Sequence, residues 1–156
     1  MYTAYINIGS NVGDRPALIG RTVAAIEKAL GGKAEKAPMF ESAPWGYEST
    51  LPFLNLGIAI STDLKPAQLL DTLLQIQASI DASPHRDDKG NYVDRKIDID
   101  LIAMDSIVVD GTGSDLILPH PRMHLRPFVL IPMRHLAPHW IHPVLHKSID
   151  EMISAL

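Results

Sequence analysis

Two stretches of the chain carry apolar residues at the same helical spacing, and strand-like segments lie between and beyond them. Intervals of four, three and four residues separate Ile19, Val23, Ile26 and Leu30, and again Leu69, Leu73, Ile76 and Ile80. This spacing places the side chains on one face of an α-helix. The first helix is predicted to start after Asp14 and to end at Gly31-Gly32, and the second to start at Pro66. Both helices therefore need a common surface to pack against.

Segments of alternating apolar residues predict the strands that would supply this surface. In the first segment, Ala4, Ile6 and Ile8 point to one side, which predicts a half-buried strand. The chain between Phe53 and Thr62 alternates in the same way. Further strands are predicted over 33–41, 96–104 and 107–109, a short helix interrupted by Pro132 over 126–136, and a last helix after a capping box of Ser148 and Glu151.

The order of these elements is β-α-β-β-α-β with a C-terminal extension. This order is typical of the ferredoxin-like pattern, an α+β fold with an antiparallel sheet and both main helices on one face. A single domain over residues 1–156 is expected from the length. The other face of the sheet is left for loops or for the C-terminal extension, and a ligand could lie there.

Composition excludes several classes of protein. The chain has 46% hydrophobic residues, enough to build a core, and no cysteine, which excludes disulfide frameworks, thiolate zinc sites and cysteine nucleophiles. Its net charge of −4 gives no basic surface for nucleic acid or for anionic lipid, so neither is expected as a partner. No apolar run approaches the length of a membrane span, and the first residues lack a signal peptide pattern, so a cytoplasmic protein is expected.

The segment 95–101, with the sequence RKIDIDL, carries the clearest chemical signal. Side chains alternate along a strand, so Asp98 and Asp100 would share one face about 7 Å apart. Such carboxylates repel each other unless a cation lies between them, and magnesium with phosphate oxygens suits this arrangement. Arg95 could bind the same phosphates. The alternative is a solvent-facing strand on which two aspartates aid solubility.

Three further features have weaker chemical interpretations. Phe53 and Asn55 share a strand face close to Trp45, a pattern that suits a flat heterocycle but is also common in a core. Between His120 and His146 the i, i+4 histidine spacings suggest zinc, but the prolines there favour loop and surface histidines instead. The polar segment 81–94 is long for a compact domain and is predicted to be a functional or a disordered loop.

Taken together in their order, several motifs resemble the 6-hydroxymethyl-7,8-dihydropterin pyrophosphokinase family of folate biosynthesis. The matching segments are YINIGSN at 5–11, PWG at 44–46, FLN at 53–55, RKIDID at 95–100, LPHPRMH at 118–124 and RPFVLIP at 126–132. Each motif is short, but the ordered set is specific and covers nearly the whole chain.

The resemblance implies an enzyme that moves the β,γ-pyrophosphoryl group of ATP to the hydroxymethyl group of a reduced pterin and releases AMP. It implies that Asp98 and Asp100 hold two Mg²⁺ ions. The implied catalytic residues are these two aspartates together with Arg95 and Arg126. The implied pterin residues are Ser42, Ala43, Trp45, Phe53, Asn55 and Phe128. The implied ATP residues are Gln77, Arg86, Arg95, Leu101 and His120. ATP and the pterin are the expected partners, and protein partners stay open.

The sequence departs from the family pattern in front of the two aspartates. The family has a glutamate followed by Gly-Arg-x-Arg, where this chain reads QASIDASPHR at 77–86 with Gln77 in place of the acid. The usual Trp-Gly-Pro before Arg95 is replaced by Tyr-Val-Asp at 92–94. Weak ATP affinity or a rearranged loop is predicted. These departures support one alternative, a relative that binds pterin but handles ATP poorly. A second alternative, independent of them, is an unrelated ferredoxin-like module that binds RNA or a metal.

Overall fold

In the computed structural model, residues 1–43, 51–81 and 96–156 are described. The strands in these ranges are β1 (Tyr2–Ser10), β2 (Glu35–Lys36), β3 (Phe40–Ser42), β4 (Phe53–Thr62), β5 (Asp98–Met104), β6 (Val109–Asp110) and β7 (Ile117–Leu118). The α-helices are α1 (Arg15–Leu30), α2 (Pro66–Ile80), α3 (Pro127–Leu136) and α4 (Ile149–Ser154). The result is a mixed α/β fold, in which the predicted order of the main strands and helices is confirmed.

Strand β1 lies inside an antiparallel sheet. It pairs with β4 on one side and with β5 on the other, and the order of the described strands is β2-β4-β1-β5, with β3 also paired to β4. Strands β6 and β7 form a separate pair. Because β5 lies at an edge of the described sheet, one side of its backbone faces α2 rather than another strand.

The two helical stripes pack as predicted on one face of the sheet. Ile19, Ile26 and Leu69 are fully buried with Ile6 and Ile8 of β1 in one apolar cluster. The local signals at the helix ends are also confirmed, because the Ala17 N–H donates to Asp14 Oδ1 at 3.3 Å and Gly31 ends α1 in the left-handed region at φ 76°.

A second apolar cluster, formed with α3 and α4, covers the opposite face of the sheet. The prediction that β1 is half-buried is therefore wrong, since Asn7 on that face is only 5% exposed. Gly57 of β4 allows α3 to come this close. A Cβ atom added to Gly57 would lie 2.5 Å from Pro132 Cβ, well inside contact distance.

Helix α3 runs through Pro132 without a break, so the predicted interruption is wrong. A proline costs a helix one backbone donor, and packing of α3 on the sheet outweighs this loss. The predicted strand over 33–41 is split into β2 and β3, with Pro38, which has no N–H to donate, between them. The strand predicted over 96–104 begins only at Asp98, and the short strand predicted over 107–109 lies at Val109–Asp110.

A β-bulge in β5 changes the face on which its side chains lie. Tyr5 pairs with Ala103 and Ile6 with Leu101, which leaves Ile102 as the extra residue. Leu101 and Met104 accordingly join the first cluster, whereas Ile102 and Ala103 join the second.

Among the described helices, none has the length and apolar character that crossing a membrane requires.

Candidate active site

Two rows of residues across the sheet form the floor of the candidate site. The register places Gly9 between Asn55 and Asp98, and Asn7 between Gly57 and Asp100. Residues directly opposite each other in antiparallel strands have Cβ atoms about 5 Å apart and share a face. The sheet therefore brings the predicted heterocycle-binding side chain and the two predicted metal ligands to one surface, on the side of α3.

Asn55 is buried and held in a fixed orientation. Its Nδ2 donates to the Phe40 carbonyl at 3.0 Å and to Ser42 Oγ at 2.8 Å, so β3 fixes which way the amide points. Phe53 is buried, and its ring lies close to Gly9, where an added Cβ would be 3.3 Å from Phe53 Cδ1. A side chain at position 9 would thus compete with Phe53 for space and would separate Asn55 from Asp98.

The two aspartates lie half-buried on β5, and helix α2 holds the backbone between them. The Ile99 N–H donates to Gln77 Oε1 at 2.8 Å. At the start of the segment, Asp81 Oδ2 accepts from the Lys96 N–H at 2.8 Å. Side chains at the end of α2 therefore satisfy one backbone donor within β5 and one just before it, and they hold the backbone that carries both carboxylates.

Arg126 and Phe128 enter the site at the beginning of α3. A guanidinium nitrogen of Arg126 (NH1) lies 3.9 Å from Asp100 Oδ2, and the Arg126 side chain is 9% exposed. The guanidinium carbon is 5.6 Å from the centre of the Phe128 ring, within the range of a cation–π contact. The structure thus brings the predicted residue Arg126 next to Asp100, and the predicted residue Phe128 next to Arg126.

His120 is held in a neutral form beside the same aspartates. Its backbone N–H donates to the Ile102 carbonyl at 2.7 Å, and its Nδ1 accepts from the Arg122 N–H at 3.1 Å, which assigns the proton to Nε2. Burial, with the nearby positive charges of Arg126 and Arg122, lowers the pKa of His120 to about 4, although Asp98 acts in the opposite direction. The imidazole can therefore donate one neutral hydrogen bond to a ligand oxygen.

A cleft of about 340 Å³ opens between the end of α2, β5 and the segment around β7. Its lining is Leu70, Leu74, Gln77, Asp98, Ile99, Asp100, Leu101, Asp115, Leu116, Ile117, His120 and Pro121. This set includes the predicted ATP residues Gln77, Leu101 and His120. The formally charged residues in this lining are all aspartates, so a polyphosphate could bind here only with added positive charge.

The other predicted residues are placed as follows. Ser42 ends β3 beside Asn55, and Ala43 follows it at an exposed position. Trp45, Arg86 and Arg95 lie outside the described residues, as does most of the segment in which the family pattern is broken. The polar loop was predicted to start at Asp81, and α2 does end one residue earlier, at Ile80. Its first residue is nevertheless buried, since Asp81 is 7% exposed and accepts backbone hydrogen bonds.

One histidine of the histidine-rich segment is buried and hydrogen-bonded, which the sequence did not predict. His142 is 5% exposed, and its Nδ1 accepts from the N–H groups of Val144 and Leu145 at 3.2 and 3.1 Å. Burial lowers its pKa, with smaller contributions from His124 and His146. His142 lies outside the helices and strands, as expected, but the expectation of a surface histidine is wrong for it. In the described ranges, no three His, Asp or Glu side chains form a group that could hold a metal ion.

Sequence reasoning missed Asn7 and Gly9, the two residues of β1 that form the centre of the site floor. Asn7 and Gly9 alternate along β1 with the predicted apolar residues Ile6 and Ile8. The same alternation therefore predicts that Asn7 and Gly9 lie on the opposite face of the strand. That signal was present in the sequence, but it does not show that the second face would carry the site.

Comparison with known proteins gives a consistent result. The sequence model of the 7,8-dihydro-6-hydroxymethylpterin-pyrophosphokinase (HPPK) family matches residues 5–138. The 2-amino-4-hydroxy-6-hydroxymethyldihydropteridine pyrophosphokinase of Porphyromonas gingivalis is 35% identical over 143 residues, which are 92% of this chain and 95% of that protein. The protein of the same name from Aquifex aeolicus is 32% identical over 152 residues, 97% of this chain and 90% of that protein.

Solved structures support the same fold. The crystal structure of wild-type Plasmodium falciparum HPPK-DHPS with SDX-DHP has a TM-score of 0.71 at 15% sequence identity and covers 99% of this chain. This chain spans only 43% of the length of that larger protein. At this level of identity the similarity concerns the fold alone.

Proposed function

We infer that this chain, which belongs to the 7,8-dihydro-6-hydroxymethylpterin-pyrophosphokinase family, transfers the pyrophosphoryl group of ATP to 6-hydroxymethyl-7,8-dihydropterin in folate biosynthesis. The products are AMP and the pterin diphosphate. The chain is accordingly a diphosphotransferase, and the alternative of a relative that handles ATP poorly is not favoured, because the similar proteins are named as pyrophosphokinases.

The observation that carries the proposal is the row Asn55–Gly9–Asp98 across three neighbouring strands. Two strand spacings separate the residue that would read the pterin from the carboxylate that would face the phosphates, a distance of about 10 Å. A flat ring over Asn55 could therefore extend its hydroxymethyl group across Gly9 toward Asp98. The absence of a side chain at Gly9 leaves this path open.

The pterin side of the site fits a reduced heterocycle with an amide-like edge. Asn55 offers its carbonyl oxygen, since β3 engages its Nδ2. Phe53 and Phe128 supply aromatic faces for stacking, while Ser42, Ala43 and Trp45 would line the edge of the ring. Stacking orients the ring, and hydrogen bonds to its edge select it.

The carboxylates fit magnesium, whose preferred ligands in proteins are oxygen atoms of carboxylates, phosphates and water. Asp98 and Asp100 would hold the metal, and we propose two ions. Bound magnesium supplies positive charge that offsets the triphosphate and the acidic lining of the cleft. Since only two carboxylates are offered on β5, phosphate oxygens and water would complete the coordination.

The ATP side would use the cleft beside α2 and β7. Gln77, Leu101 and His120 would contact the nucleotide, with His120 donating from Nε2 to an oxygen. Arg126 would contact the phosphates from α3, and Arg86 and Arg95 would do so from the part of the chain outside the described residues. Guanidinium groups suit this role because they bind phosphate oxygens through two donors.

The reaction itself requires positioning and charge neutralisation more than a strong base. The hydroxymethyl oxygen of the pterin attacks the β-phosphorus of ATP, and a P–O bond forms as the bond from the β-phosphorus to the α,β-bridging oxygen breaks. AMP leaves with that oxygen, and the hydroxyl proton is released to solvent. Arg126, which lies next to Asp100, would stabilise the negative charge on the transferred group.

The proposal also includes the finer expectations from the sequence, namely a ferredoxin-like topology, one domain over 1–156 and a cytoplasmic location. The observed strand order β2-β4-β1-β5, with α1 after β1 and α2 after β4, supports the first of these.

The decisive experiment measures AMP after the protein is mixed with ATP, MgCl₂ and the hydroxymethyl-dihydropterin. AMP should form only when all components are present, and Asp98→Ala or Asp100→Ala should abolish it. Asp71→Ala, on the exposed surface of α2, is the matched control and should retain activity. Binding of the pterin without release of AMP by the wild-type protein would instead support the weakened relative.

A further inference from the structure

Asn7 is a buried amide on the floor of the site, and it has no role in the function proposed above. It is 5% exposed, and its Oδ1 accepts no hydrogen bond within the described part of the chain. A buried acceptor without a partner destabilises a folded protein. Natural proteins keep unsatisfied buried polar groups mainly at functional sites, where the group gains a partner in another state of the protein.

The register shows which functional group Asn7 can reach. Its cross-strand neighbours are Gly57, which has no side chain, and Asp100. Side chains at directly opposite positions come within hydrogen-bonding reach of each other, about 5 Å between Cβ atoms. The polar group nearest to the Asn7 amide along this row is thus the carboxylate of Asp100.

On the helix side, Asn7 faces α3, the helix that begins directly after Arg126. Val129 and Pro132 of α3 line, together with Asn7, a small and otherwise mostly apolar cavity. Val129 is one helical turn after Arg126, whose guanidinium lies 3.9 Å from Asp100. That distance is within the range of an ion pair but longer than a hydrogen bond.

A primary amide is the side chain that can serve both of these charges at once. It has two N–H donors for a carboxylate and one carbonyl acceptor for a guanidinium. An aspartate at position 7 would repel Asp100, and an aliphatic residue would contact neither group by hydrogen bonding.

On the basis of the proposed function, we propose that Asn7 is a positioning residue for pyrophosphoryl transfer. In the substrate-loaded enzyme its Nδ2 donates to the Asp100 carboxylate and its Oδ1 accepts from the Arg126 guanidinium. The amide thereby keeps both groups oriented toward the phosphates. Its oxygen, which is unsatisfied in the free protein, gains a partner in the loaded enzyme.

The test compares Asn7→Leu with the wild-type protein in two ways. Steady-state kinetics should show kcat lowered about tenfold, a higher MgCl₂ concentration at half-maximal rate, and an unchanged KM for the pterin. Thermal unfolding of the protein without ligands should give a Tm equal to or above that of the wild type, because the unsatisfied buried oxygen is gone. The kcat of Asn7→Asp should also be lower than that of the wild type.

Tyr5→Phe is the matched control, since Tyr5 lies on the same face of β1 two residues earlier, and it should keep wild-type kinetics. If Asn7→Leu does not fold, Asn7→Ala permits the same comparison. Wild-type kcat and MgCl₂ dependence in a folded Asn7 variant would overturn the proposal, and so would full activity of Asn7→Asp. The absence of AMP formation by the wild-type protein would instead overturn the proposed function.

Discussion

Gln77 accepts a hydrogen bond from the backbone of Ile99, the residue between the two aspartates, at 2.8 Å. Ile99 lies on an edge of the described sheet, where a backbone N–H directed away from β1 has no neighbouring strand to bond with. The side chain of Gln77 takes the place of that strand. The residue that departs from the family glutamate thus has a structural role at the site, because it fixes the backbone that carries Asp98 and Asp100.

Replacing Gln77 by leucine removes the acceptor and should lower kcat/KM for ATP by about tenfold, the effect of roughly 1.4 kcal/mol. Gln77→Glu is the matched control, since a carboxylate accepts the same N–H and restores the family residue. It should retain activity within a few-fold of the wild type. Initial rates at varied ATP concentrations measure both effects, and equal rates for the leucine variant would exclude a role for this hydrogen bond.

Gly57→Ala should destabilise the protein and disturb the site together. The new methyl group would lie 2.5 Å from Pro132 Cβ and would displace α3, which carries Phe128 and follows Arg126. Overpacking of this kind costs about 1–3 kcal/mol. Urea unfolding should show the loss, and the KM for the pterin should rise.

Gly20→Ala provides the comparison for this prediction. Gly20 lies in α1, and a Cβ added there would meet no atom within 4 Å. Alanine should therefore stabilise the helix by about 0.5–1 kcal/mol. A Gly57→Ala protein as stable as the wild type would show that α3 can move without cost.

The stability of the protein should depend on the protonation of His120. Its pKa is lowered to about 4 in the folded protein, chiefly by burial, whereas a histidine in an unfolded chain titrates near 6.5. The unfolded state therefore binds more protons between these values, and the free energy of unfolding falls as the pH drops from about 6.5 toward 4.

His120→Gln should consequently lose less stability than the wild type between pH 7 and pH 5, as measured by urea unfolding. The exposed His139→Gln variant is the control and should follow the wild type. An NMR titration of the imidazole signals gives an independent measurement, in which His120 should stay neutral at pH 5.5. A midpoint near 6.5 for that signal would contradict the prediction.

Ser42→Ala should weaken pterin binding without affecting ATP. Ser42 Oγ accepts one of the two hydrogen bonds that orient the Asn55 amide, and the Phe40 carbonyl accepts the other. Loss of one bond leaves the amide less fixed, so the KM for the pterin should rise several-fold while the KM for ATP stays constant. Equal changes in both KM values would indicate general damage to the protein rather than a role in orienting Asn55.

The apolar periodicities predicted most of the framework. Spacings of four and three residues located α1 and α2, and alternation located β1 and β4, because a side chain on a helix or strand that is buried against a core must repeat with the geometry of that element. The same alternation predicted that Asp98 and Asp100 share a face. These signals are local, and they are present in the sequence without knowledge of any partner.

The predictions that failed depended on contacts between distant segments. Pro132 was expected to interrupt α3, and β1 was expected to have one exposed face. Both errors have one cause, since no local signal shows that α3 would lie across the sheet at Gly57. Likewise, the burial of Asp81 was not predicted, because the backbone N–H groups that bond to it, at 96 and 97, are distant in sequence.

The sequence by itself determined the helices, the main strands and the pair of aspartates, since each depends on the spacing of residues along one element. Only the tertiary structure decided that Asn55, Gly9 and Asp98 form one row, that Arg126 meets Asp100, and that Asn7 lies buried beside them. The register between strands and the docking of a helix depend on packing between segments far apart in the chain, and this is settled only when the whole core is formed.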